Sequence, residues 1–323
     1  WQRGQLRSFL FNFPCMRIHD TVCHVAMRFA KRGFVAITAA YRVGWLANST
    51  NLDLRRGTNL AAVYGAIQDT KACVRSLRGR AYGNNAWRMD PNFITLLGSG
   101  SGGYIALAYG TLDNYAEVAS PTKFQYTAAG PGIYGGTVSA GDPYIDTAIV
   151  GDWNGLGGLA TIIGSDSTTG LPIIDLTQPG RNIANHVGAP DNVNLTINLG
   201  GALADSAWTS AGDAPSISFH SRYDFYAPYY RGMVNVPIAG AFFPVVEVAG
   251  SHTAAKVANT LGNNTVSTVA ANASGTAGEQ IFESSDTGVT ISLDAPIGDA
   301  TVGVDNSGNV TISGTWSGIT MSH

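Results

Sequence analysis

The stretch from Phe93 to Tyr109 constrains the fold more than any other part of the chain. An apolar run, Phe93-Ile-Thr-Leu-Leu97, ends in Gly98-Ser-Gly-Ser-Gly-Gly103, and a helix-compatible run, Tyr104-Ile-Ala-Leu-Ala-Tyr109, follows directly. A strand that passes through a short Gly/Ser turn into a helix is the repeating unit of a parallel sheet with helical crossovers. The chain before it alternates in the same way. Phe9 to Phe13 reads as a short apolar strand, and Asp20 to Arg32 as an amphipathic helix with Val22, Val25, Ala26, Phe29 and Ala30 on one face. Phe34 to Tyr41 reads as a strand stopped by Gly44, and Asn59 to Arg78 as a long helix. Leu195 to Leu199 and Ser216 to His220 read as later strands and Phe242 to Val248 as the last. The expected class is α/β, a mostly parallel sheet flanked by helices. The Gly/Ser turn is not a phosphate-binding loop, because no lysine follows it and the dinucleotide glycine spacing is absent.

Composition bears on partners. The 323 residues suffice for one α/β domain of about 250 residues and an appendage. A formal charge of −3 gives no nucleic-acid or acidic-membrane footprint. Charged residues make up only 13% of the chain, against about 25% in typical domains, and there are 40 glycines. A surface poor in Lys and Glu and rich in small polar residues predicts a secreted, extracellular or cell-surface protein, or one that forms assemblies. No apolar run reaches the roughly 18 residues of a membrane span. Trp1 in place of a methionine predicts a processed or incompletely recovered N-terminus. Cys15, Cys23 and Cys73 lack C-x-x-C spacing, and both one disulfide with a leftover thiol and three free thiols stay open. Asn48, Asn194, Asn263, Asn272 and Asn309 stand in glycosylation sequons. Asp142, Asp146 and Asp152 lack EF-hand spacing and read as a solvated loop, and His19 and His24 are not a metal pair. No cofactor is expected.

Several segments, in order, resemble the carboxylesterase-type α/β-hydrolase family, of the secreted bacterial kind. Phe29-Ala-Lys-Arg-Gly-Phe-Val-Ala-Ile-Thr-Ala-Ala-Tyr-Arg-Val-Gly44 is similar to its second core strand with the YR-x-G ending. Ala66 to Arg75 is similar to the helix before the nucleophile turn, and Trp87 to Ile94 to the D-P-x-x-I lead-in. Residues 94 to 107 resemble the nucleophile elbow, whose G-x-S-x-G sets a strained serine at the tip of the sheet. Ser218 to Tyr229 is similar to the strand end that delivers the triad acid, at Asp224, and Val248-Ala-Gly-Ser-His252 to the loop that delivers the triad histidine, at His252. The likeness spans roughly residues 17 to 262. It implies the α/β-hydrolase fold for residues 1–262, with residues 113–195 as the cap or insertion.

The chemistry that the resemblance implies is incomplete. A serine hydrolase needs a nucleophile, a base, an orienting acid and an oxyanion hole. The order elbow, Asp224, His252 is kept, and the two are expected within hydrogen-bond reach of each other, facing residue 100. The nucleophile position falls on Gly100, which has no side chain, between Ser99 and Ser101. Ser101 serves only if the turn slides by one residue. The stretch equivalent to the family's glycine-rich oxyanion loop, Phe11 to Arg17, contains no glycine, and Pro14 has no N–H to donate. Two functions follow. One is a non-catalytic α/β-hydrolase-fold protein with a structural, binding or assembly role. The other is a serine carboxylesterase acting on small carboxylic esters through Ser101, His252 and Asp224.

From residue 263 the character changes. Gly288 to Leu293, Ala300 to Val304 and Asn309 to Gly314 alternate apolar and polar residues, with Asp305-Asn-Ser-Gly308 as a turn. Residues 263–323 are expected to form antiparallel strands, either a small β-module or edge strands packed on the main domain. After Gln280 there is no Lys and only Pro296 to guard an edge. The tail is therefore the expected route to a homo-oligomer or an extracellular assembly.

Overall fold

The computed structural model describes residues 6–14, 20–157, 161–165, 167, 172–175, 185–224, 226–238 and 241–264, together with strand segments at 282–284, 291–293, 301–304, 310–313, 315–316 and 319–320. Five parallel strands form the central sheet: β1 (Leu6–Pro14), β2 (Phe34–Tyr41), β3 (Met89–Ser99), β4 (Leu195–Leu199) and β5 (Ser216–Phe219). Their order across the sheet is β2-β1-β3-β4-β5, and every pairing is parallel. Parallel neighbours need crossovers, and three helices supply them: α1 (Asp20–Ala30), α2 (Leu52–Tyr82) and α3 (Ser101–Thr111).

Adjacent residues on β3 serve opposite faces. Leu96 enters the main core with Ile67 and Val74 of α2 and Ile105 of α3. Leu97 enters a smaller cluster with Val25, Ala26 and Phe29 of α1 and with Ile197 and Leu199 of β4. The sheet is thus covered on both sides, as near-continuous apolar strands require.

Helix α2 is longer than its apolar pattern. It starts at Leu52 rather than at Asn59, with the Asn51 carboxamide accepting from Asp53 N at 2.8 Å and Leu54 N at 3.3 Å. Its extra turns bury charge. The Asp53 carboxylate accepts from the Tyr144 hydroxyl at 2.7 Å, and the Arg55 guanidinium donates to the Ser49 carbonyl at 2.5 Å. A helix that buries Asp53, Arg55, Lys71, Arg75 and Arg78 beside apolar residues has no polar face to betray it. Lys71 lies between the rings of Tyr109 and Trp153, and burial lowers its pKa. Asp191 balances it and Arg75, the latter at 2.9 Å.

The expected last strand is present, but it lies outside the parallel sheet. Residues 242–248 do not extend the parallel sheet; β7 (Ala241–Ala249) pairs antiparallel with β6 (Arg231–Ile238) as a separate ribbon. Its apolar side, Val245, Val246 and Val248, still enters the main core. Two of its carbonyls are taken by α2, with Arg55 donating to Pro244 O at 3.2 Å and Arg56 to Val245 O at 2.9 Å. A further helix, α4 (Ser251–Thr260), follows. Residues 113–157 are mostly irregular, yet Phe124, Tyr126, Tyr144 and Ile145 belong to the main core.

In the tail, Thr301–Val304 pairs antiparallel with Val310–Ser313, the hairpin expected there. Ile291–Leu293 pairs with Phe282–Ser284, and Thr315–Trp316 with Ile319–Thr320. The 305–308 turn lies outside the described residues. Among the described residues no helix is long and apolar enough to cross a membrane.

Candidate active site

The turn from β3 into α3 is fixed by glycines, each for its own steric reason. A Cβ on Gly98 would lie 1.9 Å from the Gly102 carbonyl oxygen, and one on Gly103 would lie 2.2 Å from Oδ1 of Asn198. The Gly201 backbone closes the same packing from β4's end, 2.4 Å from Tyr104 N to where a Cβ would stand. Gly100 differs. It holds φ 55° and ψ −119° at the N-terminus of α3, and a Cβ there would meet nothing within 4 Å. That is a strained tip with free space above it, the place where an elbow presents its nucleophile. The tip residue is glycine and brings no nucleophile.

Ser101 is one residue past the tip, in the first turn of α3. Its hydroxyl lies 3.0 Å from the hydroxyl of Tyr41, the last residue of β2. Burial pushes the Tyr41 phenol above its ordinary range, against the opposing effect of the bond to Ser101. Neither Asp224 nor His252 hydrogen-bonds to Ser101.

The expected Asp224–His252 hydrogen bond is not formed, and the local geometry explains why. The Asp224 carboxylate turns onto its own loop, where Oδ1 accepts from Tyr226 N at 2.8 Å and Ala227 N at 2.9 Å. Its other oxygen faces His220, with Nε2 to Oδ2 at 3.7 Å. His220 follows β5, and its side chain is 1% exposed. Its Nε2 lies 3.0 Å from the Ala227 carbonyl, so in the neutral ring Nε2 carries the proton and Nδ1 faces the Ser251 hydroxyl at 2.5 Å. Ser251 is buried and joins a polar hub. Asn198 Nδ2 donates to Ser251 Oγ at 2.9 Å, and Asn198 Oδ1 accepts from Gly201 N at 2.7 Å. The neighbouring His252 is held otherwise. Its ring packs on Tyr229 and Tyr230, at centroid distances of 5.5 and 4.8 Å, with no side-chain hydrogen bond to a described residue. The acid and the histidine that the sequence pairs therefore sit in different bonding sets, with His220 as Asp224's neighbour.

Sequence reasoning passed over His220, Asn198, Ser251 and Tyr41. One signal was available, since His220 stands four residues before Asp224 at the end of a strand. Asn198 and Ser251 carry none, because their role arises only when the ends of β4, β5 and β7 meet. In the oxyanion stretch, β1 ends at Pro14, in register with Tyr41, and residues 15–17 lie outside the described set. Asp142, Asp146 and Asp152 cap turns, accepting from Ser139 N, Ala148 N and Leu156 N. Among the described residues no group of three or more His, Cys, Asp or Glu could hold a metal ion.

No protein-family profile matches the chain, and no curated protein matches it. Among solved structures it is similar to esterase 2 of the Planctomycetes species Thermogutta terrifontis. The propionate-bound form aligns at 16% identity with a TM-score of 0.35, covering 71% of this chain and 66% of that one. The form phosphonylated by cyclosarin gives 16% identity, a TM-score of 0.34, and 71% and 65% coverage. The apo form gives 16%, 0.34, and 71% and 66%. The match thus spans just under two thirds of the esterase chain. The fold rests on the chain's own geometry: a five-stranded parallel sheet with helices on both faces and a sharp strand-to-helix turn at the end of its central strand.

Proposed function

We propose that this chain is an α/β-hydrolase-fold protein that binds or assembles and does not hydrolyse esters. The observation that carries the reading is Gly100, which holds the strained tip conformation and has open space where a nucleophile's side chain would stand. The separation of Asp224 from His252 and the glycine-free stretch from Phe11 to Arg17 add to it. Removing a single oxyanion donor already costs about 3 to 4 kcal/mol of transition-state stabilisation in serine enzymes.

The test is labelling with a fluorophosphonate, read by mass spectrometry. No stoichiometric adduct is expected. Adduct on Ser101 would overturn the proposal and establish the carboxylesterase reading, which the accessible Ser101 hydroxyl favours. Gly100→Ser is expected to hydrolyse p-nitrophenyl acetate no faster than the same variant carrying His252→Ala.

The assembly part of the proposal places the protein outside the cell and assigns self-association or attachment to residues 263–323. The antiparallel pairs there and the scarcity of edge-guarding Lys and Pro support it. A chain ending at Gly262 is expected to keep its α/β circular dichroism and lose oligomers in light scattering. An unchanged oligomer, or loss of folding, would refute this part.

A further inference from the structure

The parallel sheet ends on β5, and among the described residues no strand pairs with its outer side. Two hydrogen bonds fix which way its backbone points. Thr196 N donates to Pro215 O and Gly200 N to Phe219 O, both at 2.9 Å, so the odd-numbered residues face β4. The even-numbered ones face outward, and Ser216 N donates there to the Asn264 side-chain oxygen at 2.8 Å. Ser218 is the next outward residue. Register fixes the side chains as well. Ile217 lies beside Ile197 and Phe219 beside Leu199, and in-register neighbours share a face. That face belongs to the cluster under α1, where Ile197 and Leu199 pack with Leu97, Val25 and Phe29. Its cover thins towards the edge, where Ile217 and Phe219 are 37 and 63% exposed. From Ser216 to Phe219 there is no charged residue and no proline to block pairing.

We propose that this edge pairs antiparallel with the same edge of a second copy, about a two-fold axis through Ser218. An axis there sets Ile217 of each copy opposite the partner's Phe219, so both exposed side chains find an apolar match. An axis through Ile217 would instead leave Phe219 opposite the partner's Pro215. The pairing also continues the half-covered face: each row runs from Ile197 through Ile217 to the partner's Phe219 and the partner's Leu199. The ends of the strand are complementary in charge. Asp213, with Asp113 and Glu117 near it, precedes β5. Arg222, which lies over the Tyr230 ring, follows it, and Asp224 at that end is turned onto its own loop. Antiparallel pairing brings each acidic end to the partner's Arg222. The opposite edge of the sheet, β2, offers no such match, because Lys31 and Arg32 precede it and the Arg42–Asp69 ion pair follows it. This contact is additional to the one assigned to residues 263–323.

The experiment is sedimentation equilibrium of the full chain, with a register test by disulfide trapping. A monomer–dimer step is expected, weakened at least about tenfold by each of Ile217→Lys and Phe219→Lys, which set a charge at the centre of the contact. Both side chains are exposed in the single chain, so melting temperatures are expected to stay near the parent's. A chain carrying Ile217→Cys and Phe219→Cys together tests the register. Opposed residues that share no hydrogen bonds lie about 4.5 Å apart at Cα in an antiparallel pair, within reach of a disulfide. Oxidised glutathione is expected to link position 217 of one copy to position 219 of the other, as mapped by mass spectrometry. Neither single cysteine variant should give a link at these positions. A monomeric parent would overturn the proposal. So would a dimer that survives both lysine variants, or a double variant that forms no link between 217 and 219.

Discussion

The turn at 98–103 and the junction that joins His220, Asp224 and Ser251 lie at the same edge of the sheet, yet they meet the expectations drawn from the sequence to different degrees. The turn keeps the backbone of an elbow down to the unusual dihedrals of its tip and lacks only a side chain. The junction keeps its side chains, Asp224 and His252, and loses the bond between them. The difference follows from what holds each region. Hard-sphere contacts fix the turn, with Gly98 and Gly103 lying against backbone and Asn198 at distances that no Cβ tolerates. Directional hydrogen bonds fix the junction, and a carboxylate has many alternatives. Asp224 takes two amides of its own loop and leaves His252 to the tyrosines.

The sharpest way to break this comparison is inside the turn. Gly98→Ala puts a methyl into the Gly102 carbonyl and is expected to cost at least about 3 kcal/mol or abolish folding. Gly100→Ala meets no neighbour and carries only backbone strain, about 1–3 kcal/mol. Chemical denaturation of both checks the order. Equal losses would mean that contact does not set the turn.

The junction can be probed through two adjacent residues. Ser251→Ala removes a buried hydroxyl that Asn198 and His220 share, and about 2 kcal/mol of stability is expected to go with it. His252→Ala loses ring contacts alone, about 0.5–1 kcal/mol. A larger loss at His252 would show that its ring contacts hold the loop together.

An effect of similar size lies outside both regions and depends on pH. Burial pushes the Asp213 carboxyl up to about 6, with Asp113 and Glu117 adding to the shift and the Ser210 amide opposing it. Its folded value thus exceeds its unfolded one. From about pH 4 to 6 the folded state holds a proton that the unfolded chain releases, so stability from this group rises as pH falls through 6. Asp213→Asn should therefore stabilise the protein at pH 7.5 relative to pH 5. With solvent screening of this partly exposed group, the difference is on the order of 1 kcal/mol. Melting curves at the two pH values read it.

Much of this was legible in the sequence, and what was not has specific causes. Phe34–Tyr41 and Leu195–Leu199 are strands to the residue, the first legible as a nearly continuous apolar run and the second by Leu195, Ile197 and Leu199 alternating with Thr196 and Asn198. Gly100 was placed at the tip by matching the stretch to the G-x-S-x-G elbow pattern, with a one-residue slide to Ser101 left open. The start of α2 was hidden because its first turns bury Asp53 and Arg55, which a periodicity search takes for surface. The hairpin at 231–249 was hidden because an apolar strand does not state its partner. The Asp224–His220 neighbourhood was hidden for a deeper reason. Residue order records which side chains reach one edge of a sheet, and hydrogen bonds among them are settled only by where three strand ends meet.

The open space over Gly100 has a consequence for how this chain can change. A hydroxyl at the tip is one amino-acid substitution away. The turn already holds the backbone angles that such a serine would have to adopt, and no neighbour need move to admit it. Adding a nucleophile is therefore a single step, while giving it partners requires the 220–252 junction to be rewired residue by residue. A side chain at position 100 would still carry the backbone strain of the tip, about 1–3 kcal/mol.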